Sequence, residues 1–150
     1  MFKNITFTHF INQNPKPKTM NTKVLMTSSA IFTAILGILI SFLPDEILTY
    51  LNIENNSITL LFLKLIGAMY MGFAVLNWMA KGTLIGGIYN RPIAFANLMH
   101  FGIGAVAFAK AIPALETHKE ITIAVTVVYG IFALLFVYVF RTNPARVEKG

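Results

Sequence analysis

The chain has 150 residues, of which 56% are hydrophobic and only 12% are charged. Soluble domains carry about 25% charged residues, so a water-soluble fold of this size is excluded, and lipid must surround much of the chain. The length suits a single domain. Because the sequence has no cysteine, disulfide frameworks, thiol redox relays and thiolate metal sites are excluded as well.

The basic residues behind the net charge of +6 cluster at the ends of apolar segments. In a soluble protein such a charge would suggest a nucleic-acid ligand. At the ends of membrane spans, however, the same residues set topology and attract anionic lipid headgroups. The sequence therefore predicts the lipid bilayer as a partner and no nucleic acid. Lys81, Arg91 and Arg141 are the predicted headgroup contacts.

Residues 1–22 are predicted to form a flexible cytoplasmic tail that precedes the membrane domain. Pro15 and Pro17 oppose a helix there, and the lysines beside them favour solvent. In an alternative interpretation, translation begins at Met20, because a short polar stretch after it leads directly into an apolar segment. The membrane domain is predicted over residues 23–141, followed by a second cytoplasmic tail over residues 142–150.

Four apolar segments divide the membrane domain, and each is long enough to cross about 30 Å of hydrocarbon as a helix. A lone strand in lipid would leave its backbone unpaired, so the fourth segment must be helical despite its β-branched residues. The sequence thus predicts an all-α fold, a four-transmembrane-helix bundle with up-down-up-down topology. The predicted spans are residues 24–43, 57–80, 92–112 and 121–140.

Small residues recur at helical spacing within these spans, which favours close approach of helix backbones in lipid. In the first loop, the apolar pattern around Ile47, Leu48 and Leu51 predicts a short interfacial helix. The predicted close-packing faces are Ser29, Thr33, Gly37 and Ser41 in the first span, Ala68 and Gly72 in the second, and Gly102, Ala105 and Ala109 in the third.

The loops alternate in charge, which predicts the orientation of the bundle. The first loop carries Asp45, Glu46 and Glu54 and no basic residue, whereas the second carries Lys81 and Arg91. Basic loops are retained on the cytoplasmic side. Both termini and the second loop are therefore predicted to be cytoplasmic.

Polar residues in the second and third spans form the predicted site. Counting along the folded hairpin places Asn77 and Asn97 at one depth, with His100 one turn deeper and Tyr70 two turns from Asn77. This predicts a polar track from the cytoplasmic side. Its members either join the helices by hydrogen bonds or line a small-molecule or proton-handling pocket, since His100 can change charge near neutral pH. Lys64 is expected to extend outward to the membrane surface.

No motif in the sequence combines a nucleophile with an adjacent base. His100 is the only histidine within a span, so a pair of histidine ligands for a membrane haem is missing. The sequence therefore predicts no catalytic residue, no cofactor and no metal site. It favours a non-enzymatic protein and leaves membrane enzymes open as a less favoured class.

Three stretches resemble small four-helix bacterial membrane proteins of unassigned function, loosely grouped as DoxX-like. They are residues 65–78 (LIGAMYMGFAVLNW), 86–93 (GGIYNRPI) and 100–105 (HFGIGA), and the resemblance spans about residues 20–141. It implies a bundle in the bacterial inner (plasma) membrane and supplies no catalytic residues. The expected role is an accessory or interaction component, with a second copy of the chain or another membrane protein as partner.

Overall fold

The computed structural model of the chain describes residues 21–83 and 90–142. In these ranges the chain forms five α-helices and one short 3-10 turn, Ile112–Ala114, and contains no β-strand. Most of the predicted tails at 1–22 and 142–150, namely residues 1–20 and 143–150, and the centre of the second loop at 84–89 lie outside the described residues. The helices are α1 (Thr22–Phe42), α2 (Pro44–Tyr50), α3 (Ser57–Ala80), α4 (Arg91–Ala111) and α5 (Lys119–Thr142).

Four of these helices, α1, α3, α4 and α5, are long and apolar enough to cross a membrane. The chain is therefore an integral membrane protein, and the predicted all-α four-span bundle is confirmed. The helices begin and end within a few residues of the predicted spans. The largest difference is at α5, where Lys119, Glu120 and Arg141 are helical too, since charged residues at the membrane surface continue a helix without entering the hydrocarbon.

Asparagine begins two of the long helices, and proline assists a third. The Asn21 side chain accepts a hydrogen bond from the Lys23 backbone N–H at 3.1 Å, and Asn56 accepts bonds from the first turn of α3. Each bond satisfies a backbone N–H that the helix itself leaves unpaired. Asn90 occupies the corresponding position of α4 but makes no capping side-chain bond there, and Pro92, which lacks an N–H, stands in the first turn.

The predicted interfacial helix of the first loop is α2, and it closes one end of the bundle. Its Leu48 is fully buried. Asn52 ends it with a φ of 55°, the left-handed conformation of a Schellman motif, and the Ile53 N–H donates to the Leu48 carbonyl at 2.9 Å. The Asn55 amide donates to Asp45 at 2.7 Å. The loop is thereby folded back on the helix end.

The four spans associate as two pairs, α1 with α3 and α4 with α5, and each pair packs along most of its length. The pairs meet through side chains in a shared core. Phe32 of α1 lies 5.9 Å from Tyr129 and 6.4 Å from Phe101, measured between ring centroids. Aromatic rings at these separations attract one another beyond the effect of burial, so this cluster joins the two pairs.

The predicted small-residue face of α1 is confirmed, because Ser29, Thr33 and Gly37 are all buried. On α3 the matching residue is Gly67. A Cβ added at Gly37 would lie 2.9 Å from the Met71 backbone nitrogen, and one added at Gly67 would lie 2.9 Å from that of Ser41. The two helix backbones are therefore close enough that neither position has room for a side chain.

The predicted close-packing face of the second span is wrong, and that of the third is right only in part, because Ala105 packs against the core whereas Ala109 is exposed. Ala68 and Gly72 are exposed, and a Cβ at Gly72 would meet nothing within 4 Å. Gly67 takes their place because its position, about 100° around the helix from Ala68, faces α1. On α4 the close approach falls at Gly104, against the Tyr129 ring, whereas Gly102 has only its own helix nearby.

Candidate functional site

Two fully buried asparagines lie where the helix pairs meet. Asn77 shares a face of α3 with Gly67, Ala74 and Ala80, the buried residues of that helix. Asn97 lies between buried Ala94 and Phe101 on α4. These spacings of three, four and seven residues place both amides on faces turned into the bundle. The structure thus brings Asn77 and Asn97 together, as the folded hairpin predicts.

The two asparagines exchange a reciprocal pair of hydrogen bonds. The Asn77 amide nitrogen donates to Asn97 Oδ1 at 2.7 Å, and the Asn97 nitrogen donates to Asn77 Oδ1 at 2.7 Å. Their second N–H groups are also used, by Ser29 Oγ at 3.2 Å and by the Ile93 carbonyl at 3.0 Å. An asparagine amide has two N–H donors, so all four donors of the pair are satisfied within the protein.

Ser29 connects this pair to α1, and sequence reasoning assigned it only a packing role. It accepts the Asn77 bond while its own hydroxyl donates to the Met26 carbonyl at 3.0 Å. Three helices, α1, α3 and α4, are thus joined by one polar network. The four-residue spacing of small residues indicated that Ser29 faces a neighbour, but it carried no information about which polar group it would meet.

His100 lies next to this network without being part of it. Its ring stacks on Phe73 with centroids 4.5 Å apart and packs edge-on against Tyr70 at 5.1 Å and Phe101 at 4.9 Å. The side chain is half-buried, and its Nε2 is enclosed without a hydrogen-bond partner. No hydrogen bond links His100 to either asparagine within the described part of the chain, so the predicted track is interrupted at this point.

Tyr70 finds a different partner, Tyr129 of α5. Their hydroxyl groups form a hydrogen bond across the two helix pairs, and the Tyr129 ring lies 5.7 Å from that of His100. Tyr129 is 1% exposed and was missed from the sequence, where it stands in an apolar stretch. Its hydrogen-bond partner, the Tyr70 hydroxyl, is evident only once α3 and α5 are placed together in the fold.

The predicted lipid contacts lie near the end of the bundle where α3 ends and α4 begins. The Lys81 ammonium is 2.9 Å from the centroid of the Trp78 ring, and the Arg91 guanidinium is 5.5 Å from that of Phe140. Both are cation–π arrangements, which hold a charge beside an aromatic ring. Arg141 is exposed at the last turn of α5. Headgroup contact by these three residues stays a prediction.

Lys64 is exposed on the outer face of α3, and no ion pair involves it among the described residues. It stands seven residues from the start of the helix at Ser57, which is about 10 Å along the axis. A lysine side chain can span much of such a distance to reach the headgroup region. The extension of Lys64 to the membrane surface stays a prediction.

In the described ranges, no cluster of three or more histidine or acidic residues forms a metal-binding group. The fold and these polar contacts define a class of protein, a four-span integral membrane bundle whose helices are joined by buried asparagine and tyrosine pairs. The chain matches no protein-family model, no curated protein and no solved structure. The DoxX-like resemblance therefore stays a prediction.

Proposed function

We propose that this protein is a non-enzymatic accessory or interaction component of the bacterial inner membrane, with both termini in the cytoplasm. The observation that carries the proposal is the saturated Asn77–Asn97 pair. All four N–H groups of these buried amides donate to one another or to neighbouring groups of the protein, so no amide donor is available to bind a substrate. The buried amides of the spans thus serve the fold, and a function would fall to the exposed helix faces.

Those faces are apolar over most of their length. Met69 and Met79 on α3 are 65% and 75% exposed, and Leu134 on α5 is 72% exposed. Such residues suit either lipid or the helix of another membrane protein. We propose that one face contacts a second membrane protein, or a second copy of this chain, and that the others contact lipid.

Site-specific photocrosslinking in native membranes tests this proposal. A photoreactive amino acid is placed at Met69, Met79 or Leu134, and adducts are identified by mass spectrometry. We expect one face to give a single protein adduct while the other gives only lipid, and deletion of the chain to lower the abundance or activity of the crosslinked protein. Lipid adducts at all three positions would contradict the proposal.

The unpartnered Nε2 of His100 supports a second candidate function, the handling of protons. Buried polar atoms in proteins nearly always have a hydrogen-bond partner, and ionisable groups within a membrane are often functional. Beside His100, the Tyr70–Tyr129 pair supplies further hydroxyl groups. In this interpretation the site is His100 with the two tyrosines, and the asparagines only support it.

Proteoliposomes loaded with a pH-sensitive dye separate the two functions. An accessory protein should add no proton flux to that of protein-free vesicles after an external acid pulse. Proton handling predicts a flux that His100→Phe abolishes, with Tyr50→Phe as the control because that tyrosine belongs to α2 and its ring contacts His118. A flux of this kind would overturn the accessory proposal.

A further inference from the structure

An apolar groove runs along the outside of the α1–α3 pair. Its volume is about 360 Å³, within the range of about 300–1,000 Å³ that ligand pockets occupy. Along α3 it extends from Met71 to Trp78, seven residues or about 10 Å. The lining residues are Ala30, Ile31, Ala34, Met71, Ala74, Val75 and Trp78.

Two lysines lie beyond the same end of this groove, one on each wall. Lys81 follows Trp78 by three residues, and Lys23 precedes Ala30 by seven, so each stands on the groove side of its own helix. Asn77 and Ser29 are joined by a hydrogen bond, so they lie at the same depth in the bundle and give a common reference point on α3 and α1. From there Lys81 is four residues away and Lys23 six, so their depths differ by only about 3 Å.

The Lys81 ammonium is held over the Trp78 ring, which itself lines the groove. Its charge is thus kept at the mouth of the groove, and an ammonium group has three N–H donors to offer an anion. Lys23 is exposed in the first turn of α1. The groove is apolar and has two lysines at nearly the same depth at one end. An anionic phospholipid has the matching chemistry, because its apolar acyl chain ends at a negatively charged phosphate.

We infer that this groove binds one anionic phospholipid, with an acyl chain between α1 and α3 and the phosphate between Lys23 and Lys81. A second copy of the chain in the same orientation fits less well, because it would set lysines against lysines. In the described part of the chain, every acidic residue lies at the opposite end of the bundle. These residues are Asp45, Glu46, Glu54, Glu116 and Glu120.

Trp78 makes the inference directly testable, since it is the only tryptophan in the sequence and is half-exposed in the groove. The protein is reconstituted into phosphatidylcholine vesicles that contain either brominated phosphatidylglycerol or brominated phosphatidylcholine, both of which quench tryptophan fluorescence. Quenching is normalised to unbrominated vesicles for each variant. We expect phosphatidylglycerol to associate with the Trp78 site about fivefold more strongly per lysine engaged.

Three variants sharpen the measurement. Lys23→Gln with Lys81→Gln should abolish the preference for phosphatidylglycerol, whereas Lys110→Gln with Lys119→Gln at the opposite end should retain it. Ala34→Leu fills the groove and keeps both charges, so it should weaken quenching by brominated chains of either lipid. Circular dichroism and gel filtration confirm that each variant is folded.

Equal quenching of the unaltered protein by the two brominated lipids would overturn the inference, because ordinary annular lipid would explain it. A preference that survives removal of Lys23 and Lys81 would overturn it too. Neither result bears on the photocrosslinking test, whose Met69, Met79 and Leu134 positions lie outside the residues that line the groove. The two proposals can therefore fail independently.

Discussion

The two helix pairs achieve close packing by different means. Between α1 and α3, small residues bring backbone against backbone, as at Gly67 and Ser41. Between α4 and α5, large rings fill the interface, with Phe101, Tyr129 and Phe136 all buried and one glycine, Gly104, receiving the edge of Tyr129. Small residues are typical of membrane helix contacts, but here they dominate only one of two interfaces.

This difference in packing determines which substitutions each helix pair can accommodate. A backbone contact cannot yield without moving a whole helix, whereas an aromatic side chain can rotate or shift at its end. The α1–α3 pair should therefore resist substitution more strictly than the α4–α5 pair. The expectations that follow concern the free energy of unfolding, measured in mixed micelles by titration with a denaturing detergent.

The largest effect is expected at Gly67. Gly67→Val would press a branched side chain into the Ser41 backbone, and overpacking of this kind destabilises by about 3 kcal/mol when no neighbour can move. The matched control is Gly72→Val on the outer face of the same helix, which should change stability by no more than about 0.5 kcal/mol. Equal effects at the two glycines would contradict the backbone contact.

The junction between the pairs should be next in sensitivity. Asn77→Ala leaves the Asn97 amide buried without its partner, which destabilises by about 1–3 kcal/mol. Asn97→Ala should do the same, and the double variant should lose less than the sum of the two, because no unpaired amide then remains. Strict additivity in this double-mutant cycle would show that the observed hydrogen bonds contribute little.

The aromatic pair supplies the direct counterpart to Gly67. A Cβ at Gly104 would lie 2.5 Å from Cε1 of the Tyr129 ring, but that ring can shift, so Gly104→Val should destabilise by only about 1–2 kcal/mol. Gly102→Val, two residues away and clear of α5, is the control. A loss at Gly104 that exceeds the loss at Gly67 would reverse the proposed difference between the pairs.

Much of the fold could be predicted because hydropathy alone marks membrane spans. The meeting of Asn77 and Asn97 could also be predicted, since a hairpin fixes equal depths by residue count. The sequence could not show which glycine lies at a close helix contact, Gly67 rather than Gly72 on α3 and Gly104 rather than Gly102 on α4. Each helix offers small residues on several faces, and only the neighbouring helix decides which face is covered.

The same reasoning explains why Tyr129 was missed while Tyr70 was found. Tyr70 lies in the polar hairpin whose two helices are adjacent in sequence, so its depth could be compared with that of Asn77. Tyr129 lies on α5, beyond a further loop, and its meeting with Tyr70 depends on how the two pairs are rotated against each other. The spacing of residues along α3 or α5 does not determine how the two helix pairs are rotated against each other.

The smallest effect is expected at this tyrosine pair. The Tyr129 ring packs edge-on against Phe101 and Phe108, with centroids 5.3 Å and 5.2 Å away, and against Gly104. Tyr129→Phe keeps these contacts and removes only the hydrogen bond to Tyr70, and a single polar contact between membrane helices contributes about 0.6 kcal/mol. Tyr50→Phe, which retains its ring contact with His118, should leave stability unchanged. If Tyr129→Phe instead destabilised as much as Gly104→Val, the hydroxyl bond to α3 would contribute as much to stability as the fit of the Tyr129 ring against Gly104. Tyr129 would then be held by its polar contact between the pairs as well as by ring packing within the α4–α5 pair, and the aromatic half of the comparison would no longer rest on ring packing alone.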